Sequence, residues 1–255
     1  MTTAATPITT TTRPRTSILD RPALMRLAAT EYDQFARMLS ELAPDDWTRA
    51  TDCPGWDVRA MASHVLGMAE MAASIRDGIR QVRAAKKRGG IFIDALTSLQ
   101  VEERIDMTPD AVERRFIVVG PRAANARKRV PGVVRNRKLP IAQPVGDEME
   151  DWTIGFLIDT ILTRDTWMHR IDISRAVGRP LEVTAGHDGV LVADVVAEWA
   201  GRHGRPYELV LTGIAGGRWS AGAGGPQIEY DGIEFARTVS GREPVTAVLD
   251  TPVPF

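Results

Sequence analysis

The chain has 255 residues, enough for one large domain or two small ones, and its 44% apolar and 25% charged residues are ordinary for a soluble globular protein. A formal net charge of −1 argues against general nucleic-acid binding. No apolar run approaches the roughly 18–20 residues of a membrane span, the N-terminus lacks a signal-peptide core, and the one cysteine, Cys53, excludes an internal disulfide framework. A cytoplasmic protein is expected.

Residues 1–17 are Thr-rich, with Pro7 and Pro14, and have little to bury; they are expected to be disordered or draped over the surface. From 20 to 42, Leu24, Leu27, Ala28, Tyr32, Phe35, Met38, Leu39 and Leu42 recur at helical spacing. Asp20 is the expected N-cap, Pro22 suits the first turn and Pro44 follows the stop. Cys53-Pro54-Gly55-Trp56 predicts a turn, after which Asp57 caps a second helix with the stripe Val58, Met61, Ala62, Val65, Met68, Ala69 and Ala72. Its pattern runs to about residue 85 and ends in the solvated Lys86-Lys87-Arg88-Gly89-Gly90. Thr108 and Pro109 open a third helix, 108–129. A fourth is expected from about 149 to 177, closing at Gly178, with an inward stripe of Ile154, Leu157, Ile158, Ile161, Asp165, Met168, His169 and Asp172.

The periodicity changes after Arg179-Pro180. A helix at about 188–202 precedes a strand at 207–211, and Gly213 to Gly225 is turn-prone. Further strands are expected near 218–220, 226–230 and 245–249, with a short helix at 233–239. The fold class is therefore mainly α: a helix bundle over 18–180, followed by a small α+β domain over 181–255.

Of four histidines, His64 and His169 fall on apolar helical stripes. Asp165 and His169 are four residues apart, which stacks them on one helix face. Alone, such a pair is usually a local contact. With a third ligand from a neighbouring helix, for which His64 is the candidate, it can grip one metal ion. Three protein ligands leave a position open, as a catalytic site requires. Two imidazoles and a carboxylate suit zinc or another first-row divalent ion. The open position can take water, lowering its pKa, or the sulfur of a small thiol, held as thiolate. Asp172, one turn from His169, either orients that imidazole or pairs with a nearby arginine.

Several segments together resemble the mycothiol-dependent maleylpyruvate isomerase family. The matching residues are Trp47, then Thr51-Asp52-Cys53-Pro54-Gly55-Trp56-Asp57-Val58-Arg59 leading to His64, then 165–172 followed by Ala176 and Gly178-Arg179-Pro180. The resemblance covers roughly residues 20–180, and the C-terminal part, with Trp219 and Ser240-Gly241-Arg242, matches more loosely. It implies a DinB-like four-helix metal-binding bundle. The family holds its metal with a histidine on the second helix and a Glu-x-x-x-His pair on the fourth; carried over, these are His64, Asp165 and His169. Aspartate here replaces the glutamate, one methylene shorter. The family also binds its acidic substrate with a C-terminal arginine, for which Arg242 is the candidate. The resemblance implies mycothiol as the thiol and a small, acidic electrophile as substrate, in isomerisation or S-transfer. Two alternatives stay open: a metal hydrolase on the same bundle, and a non-catalytic binding module with a vestigial metal site.

Other residues have plainer readings. Cys53 is expected to pack as a small apolar group, and Trp56 and Trp167 as core. His187 reads as part of a turn. His203 reads as a helix C-terminal residue, where positive charge is favoured. The basic run Arg122, Arg127, Lys128, Arg129, Arg135, Arg137 and Lys138 reads as a solvated face.

Overall fold

The computed structural model describes residues 17–243 and 249–255, with the backbone of Thr10 and Thr11. In chain order the elements are β1 (Thr10–Thr11), α1 (Arg21–Glu41), α2 (Val58–Ala73), α3 (Ile75–Arg88), α4 (Phe92–Glu102), α5 (Pro109–Arg129), α6 (Gly132–Arg135), β2 (Gln143–Val145), β3 (Glu148–Glu150), α7 (Ile154–Phe156), α8 (Leu162–Val177), α9 (Asp188–His203), β4 (Tyr207–Thr212), β5 (Gly217–Ala221), β6 (Gln227–Asp231) and α10 (Gly232–Val239). A 3₁₀ turn spans Pro44–Thr48, and a π turn, Leu157–Ile161, joins α7 to α8. The architecture is mainly α, as expected. No helix among the described residues is long and apolar enough to cross a membrane.

The helix starts are set by local chemistry. The side chains of Asp20, Asp57 and Thr108 accept from the backbone N–H groups of Ala23, Ala60 and Ala111. Gly178, at φ +67°, ends α8 in the left-handed conformation that glycine adopts without strain.

Helices α1, α2, α5 and α8 pack as the bundle. Its core contains Tyr32, Phe35, Leu39, Met61, Val65, Leu66, Val112, Phe116 and Ile173. The opposite face of α8, through Trp167, Met168 and Ile171, shares a second core with Leu191, Val195 and Trp199 of α9, Leu209 and Leu211 of β4, and Phe235 of α10. In one sheet β4 pairs antiparallel with β5 and parallel with β6; in the other β3 pairs antiparallel with β2 and parallel with β1.

Two expectations are corrected, and one helix is added. The second helix does not continue to residue 85: Ser74 leaves helical geometry (φ −141°, ψ 117°) and its hydroxyl accepts from Asp77 N–H to start α3. The segment after Gly89 and Gly90 is helical, as α4, which packs against α2 and α3. The fourth helix does not begin near 149. Gly146 (φ +58°) turns a hairpin between β2 and β3, and Thr153 caps the helix at Ile154, its hydroxyl accepting from Phe156 N–H. The expected tail lies outside the described residues except for the paired backbone of Thr10 and Thr11 and for Ser17, whose hydroxyl donates to Asp194 Oδ1 at 2.7 Å, and the strand expected at 245–249 lies outside them except for Leu249.

The basic run is not uniformly solvated. Arg127 is 1% exposed and donates to Ile158 O, Tyr32 Oη and Thr163 Oγ1, and Arg135 donates to Asp159. Trp167 is core, and its Nε1–H donates to Asp188 Oδ1 at 3.0 Å.

Between α8 and α9, Arg164 donates to Asp194 Oδ2 (2.8 Å) and Glu198 Oε2 (2.6 Å), and Arg202 adds a bond to Glu198 Oε1 (2.8 Å), all buried. Burial acts to raise the Glu198 carboxyl, but Arg164 and Arg202 outweigh it and hold it below the usual carboxylate range. A native pKa below the unfolded value of about 4.3 gives stabilisation that is present above that pH and lost as the pH falls through the native value. Glu198→Gln is therefore expected to cost about 3 kcal/mol near neutral pH. The gap to wild type should narrow as the pH falls below about 4.3 and through the lower native value, read from urea midpoints across the pH series.

Candidate metal centre and its cavity

The turn before α2 is built by hydrogen bonds. Thr51 Oγ1 donates to Trp56 O (2.9 Å) and accepts from Cys53 N–H (3.2 Å), and Trp56 N–H donates to Cys53 O (3.1 Å). Gly55 at φ +81° closes the turn. Cys53 and Trp56 are thereby placed beside His64 and His169. The Trp56 ring lies 5.1 Å from the imidazole of His64 and 6.0 Å from that of His169, centroid to centroid. Trp56 packs against the bundle core, as expected, and also walls a cavity. Cys53 is half-buried, with Sγ 3.9 Å from Asp172 Oδ2.

His64, Asp165 and His169 converge. Asp165 Oδ1 is 3.5 Å from His64 Nε2 and 3.4 Å from His169 Nε2. One ligand atom from each of the three residues lies within 4.8 Å of the others. Each imidazole is held by its other nitrogen. His64 Nδ1 is 2.8 Å from Gln100 Oε1, and His169 Nδ1 is 3.2 Å from Asp172 Oδ2. The sense of the first bond is set by a buried relay: Gln81 Nε2 donates to Gly67 O (3.1 Å), and Gln100 Nε2 donates to Gln81 Oε1 (2.8 Å). Gln100 thus presents its oxygen to His64 Nδ1, which donates to it and leaves Nε2 as the nitrogen that faces Asp165. A Cβ on Gly67 would sit 2.7 Å from Gln100 Cβ, so glycine there permits the close approach of α4 to α2.

The donor set fits a divalent ion. Metal–ligand bonds of about 2.0–2.1 Å at tetrahedral angles put ligand atoms about 3.3–3.4 Å apart, close to the 3.4–3.5 Å observed. Asp165 Oδ2 is buried without a hydrogen-bond partner among the described residues. Burial acts to raise the Asp165 carboxyl, yet His169 and His64 hold it well below the carboxylate range. Burial also works against protonation of His169, but Asp165 first, then Asp172 and Cys53, raise it well above its ordinary value. Ion binding would displace that proton.

Asp172 plays both parts that the sequence left open. It accepts from His169, and its carboxylate binds Arg242 through Nε (2.9 Å to Oδ1) and Nη2 (2.9 Å to Oδ2). Burial acts to raise Asp172, and His169 and Arg242 lower it below its usual range. Arg242 Nη1 also donates to Ser240 Oγ at 3.2 Å. Arg242, His64, Asp165 and His169 all line one cavity of about 400 Å³, whose lining also includes Val253 and Phe255.

The other two histidines lie elsewhere. His187 is buried, with Nε2 2.6 Å from Glu31 Oε2. His203 Nδ1 accepts from Arg205 N–H (3.0 Å) beneath Trp199, and burial followed by Arg205 lowers its pKa, so it does not carry the charge expected at a helix end. Sequence reasoning missed Gln100, because it missed α4. Leu96, Leu99 and Gln100 at one-turn spacing were the available signal.

A family model described as the mycothiol maleylpyruvate isomerase N-terminal domain matches residues 28–174, a span holding His64, Asp165, His169 and Asp172. Among solved structures, the chain is similar to a crystal structure of the mycothiol-dependent maleylpyruvate isomerase and to one of a histidine-to-alanine mutant of it. Each has a TM-score of 0.57 and 16% identity, over 88% of this chain and 90% of that one, a likeness of fold. No curated protein matches the chain.

Asp172 is fully buried between His169 and Arg242, so neutralising it should be felt at once. Asp172→Asn is expected to cost about 3–5 kcal/mol of unfolding free energy, because it strands the Arg242 guanidinium. Guanidinium-induced unfolding of the two proteins side by side measures it.

Proposed function

The chain belongs to the mycothiol maleylpyruvate isomerase N-terminal domain family, and from that membership we propose that it is a metal-dependent enzyme that uses mycothiol to isomerise or S-conjugate a small electrophile. His64, Asp165 and His169 would hold the ion, of the zinc type. The observation that carries this reading is the meeting of two Nε2 atoms and Asp165 Oδ1 at 3.4–3.5 Å, with an unpartnered Asp165 oxygen, on the wall of a 400 Å³ cavity. A divalent ion there supplies a Lewis acid that keeps a thiol's sulfur as thiolate, the form that adds to an electrophilic carbon and, in an isomerisation, leaves it again.

The chain's own residues supply position and charge. Gln100 and Asp172 fix the two imidazoles so that each turns Nε2 toward Asp165. Asp165, although one methylene shorter than glutamate, comes within 3.5 Å of both rings. Trp56 covers the rings on one side. Arg242 has five N–H groups, and those not spent on Asp172 and Ser240 suit one substrate carboxylate.

Elemental analysis of identically prepared wild type and His64→Ala tests the reading. About one equivalent of divalent metal is expected in wild type and none in the variant, and Gln100→Leu should weaken metal affinity by about 10–100-fold without removing a ligand. Metal-loaded wild type should bind mycothiol in a calorimetric titration. Metal retained without thiol binding, with turnover of esters or amides, would instead mark a hydrolase. No metal after supplementation would leave a binding module.

A further inference from the structure

We infer that Arg127 is a positioning residue of the cavity: by bonding the carbonyl of Ile158 it holds open the wide turn that puts Leu157 and Ile161 on the same helix face as Asp165 and His169. The inference rests on the function proposed above, in taking this cavity as the place where thiol and substrate meet.

Helix geometry sets the first step. Leu157, Ile161, Asp165 and His169 stand four residues apart, and all line the cavity. An α-helix turns by about 100° per residue, so each four-residue step drifts by about 40°. On an unbroken α-helix residues 157 and 169 would stand about 120° apart. The π turn Leu157–Ile161 holds one residue more, which takes up about 100° of that drift. Two apolar residues and two metal-binding residues thereby share one wall.

The hydrogen bonds show what the extra residue leaves over. Leu162 N–H, which in an α-helix would donate to Ile158 O, donates to Leu157 O, five residues back. Arg127 Nε donates to Ile158 O at 2.6 Å. The rest of its guanidinium is fixed too, Nη1 on Tyr32 Oη (3.2 Å) and Nη2 on Thr163 Oγ1 (2.6 Å). Among the described residues, Arg127 is the one side chain that bonds the backbone of this turn; Arg135 bonds the Asp159 side chain instead. A guanidinium that is 1% exposed and has no carboxylate partner among the described residues is a costly way to fill a core. Its compensation is the carbonyl that the wide turn deprives of its usual N–H. The metal-binding side chains come from α2 and from α8 beyond the turn, so closing the turn moves Leu157 and leaves them in place.

Crystal structures of wild type and Arg127→Met test the turn, and a double-mutant cycle with Leu157→Ala tests its effect on the cavity. In Arg127→Met, Leu162 N–H is expected to return to Ile158 O and Leu157 to leave the wall. Metal content should equal that of wild type, while the affinity of metal-loaded protein for mycothiol, read calorimetrically, falls about 10–100-fold, the worth of one leucine contact. Leu157→Ala should lose about as much. The double variant should lose no more than Arg127→Met alone, because both changes remove the same contact. Losses that add in the double variant, metal lost together with thiol binding, or a wide turn that persists in Arg127→Met would each mark an arginine with a structural role only and overturn the inference. Arg127→Lys, a milder loss of the same bonds, takes its place in the crystal and in the cycle if Arg127→Met does not fold. Wild type that binds no thiol removes the proposed function, and the turn seen in the variant crystal still decides this inference.

Discussion

Everything in this fold is arranged around one costly feature, the charge buried along α8. Twelve of its sixteen residues are buried, among them Arg164, His169, Arg170 and Asp172. An unpaired charge in that setting costs several kcal/mol, so each must find its partner. Arg164 binds Asp194 and Glu198 on α9. Arg170 reaches Glu31 on α1 and Asp188 at the start of α9, each at 2.8 Å. Asp172 binds Arg242, just past α10. These pairs fix which elements surround α8 and how they are rotated about it. The face toward α2 is different: there Asp165 and His169 meet His64, and one Asp165 oxygen has no partner among the described residues. The helix is charge-compensated on every side except the one that opens on the cavity.

What could be read from the sequence was local. Asp20, Asp57 and Thr108 announce helices because a capping side chain acts within three residues of itself. Gly178 announces a stop for the same reason. Asp165 and His169 were legible as neighbours because helical spacing alone puts them on one face. Features that needed contacts from far along the chain were not legible. Nothing local to Gln100 says that its amide meets His64, 36 positions earlier. Arg127 reads as one more surface cation until Thr163 and the carbonyl of Ile158 are folded over it. The α2–α3 break is a subtler case. Ser74 is a mild helix former, and only its hydroxyl on Asp77 N–H, with a backbone turned extended, reveals the interruption. Trp56 packs against the bundle core as a tryptophan in a tight turn suggests, but that it also walls the cavity depends on His64 and His169 from far along the chain.

Asp172 gives a physical reason for the intimacy between the bundle and the C-terminal part. One carboxylate holds both the proton of His169 and the guanidinium of Arg242. The bundle contributes the first and the loop after α10 the second, so the imidazole that faces Asp165 and the cation that faces the cavity are positioned by the same two oxygens. Neither can shift without disturbing the other. Asp52 repeats this arrangement from outside: it accepts from Arg237 (2.9 Å) on α10 and Arg175 (3.0 Å) on α8, one residue before Cys53. The loop that places Trp56 is thus tied to the helices that place His169 and Arg242. The core shared by α8, α9 and the second sheet makes that coupling rigid, because Trp167, Met168 and Ile171 lie on the other side of the helix that carries Asp165 and His169. A site assembled this way does not survive separation of the bundle from the C-terminal part. Removing the C-terminal part would expose that apolar face of α8, leave Arg164 without Asp194 and Glu198, and free Asp172 from Arg242, so His169 would lose the orientation that turns its Nε2 toward Asp165.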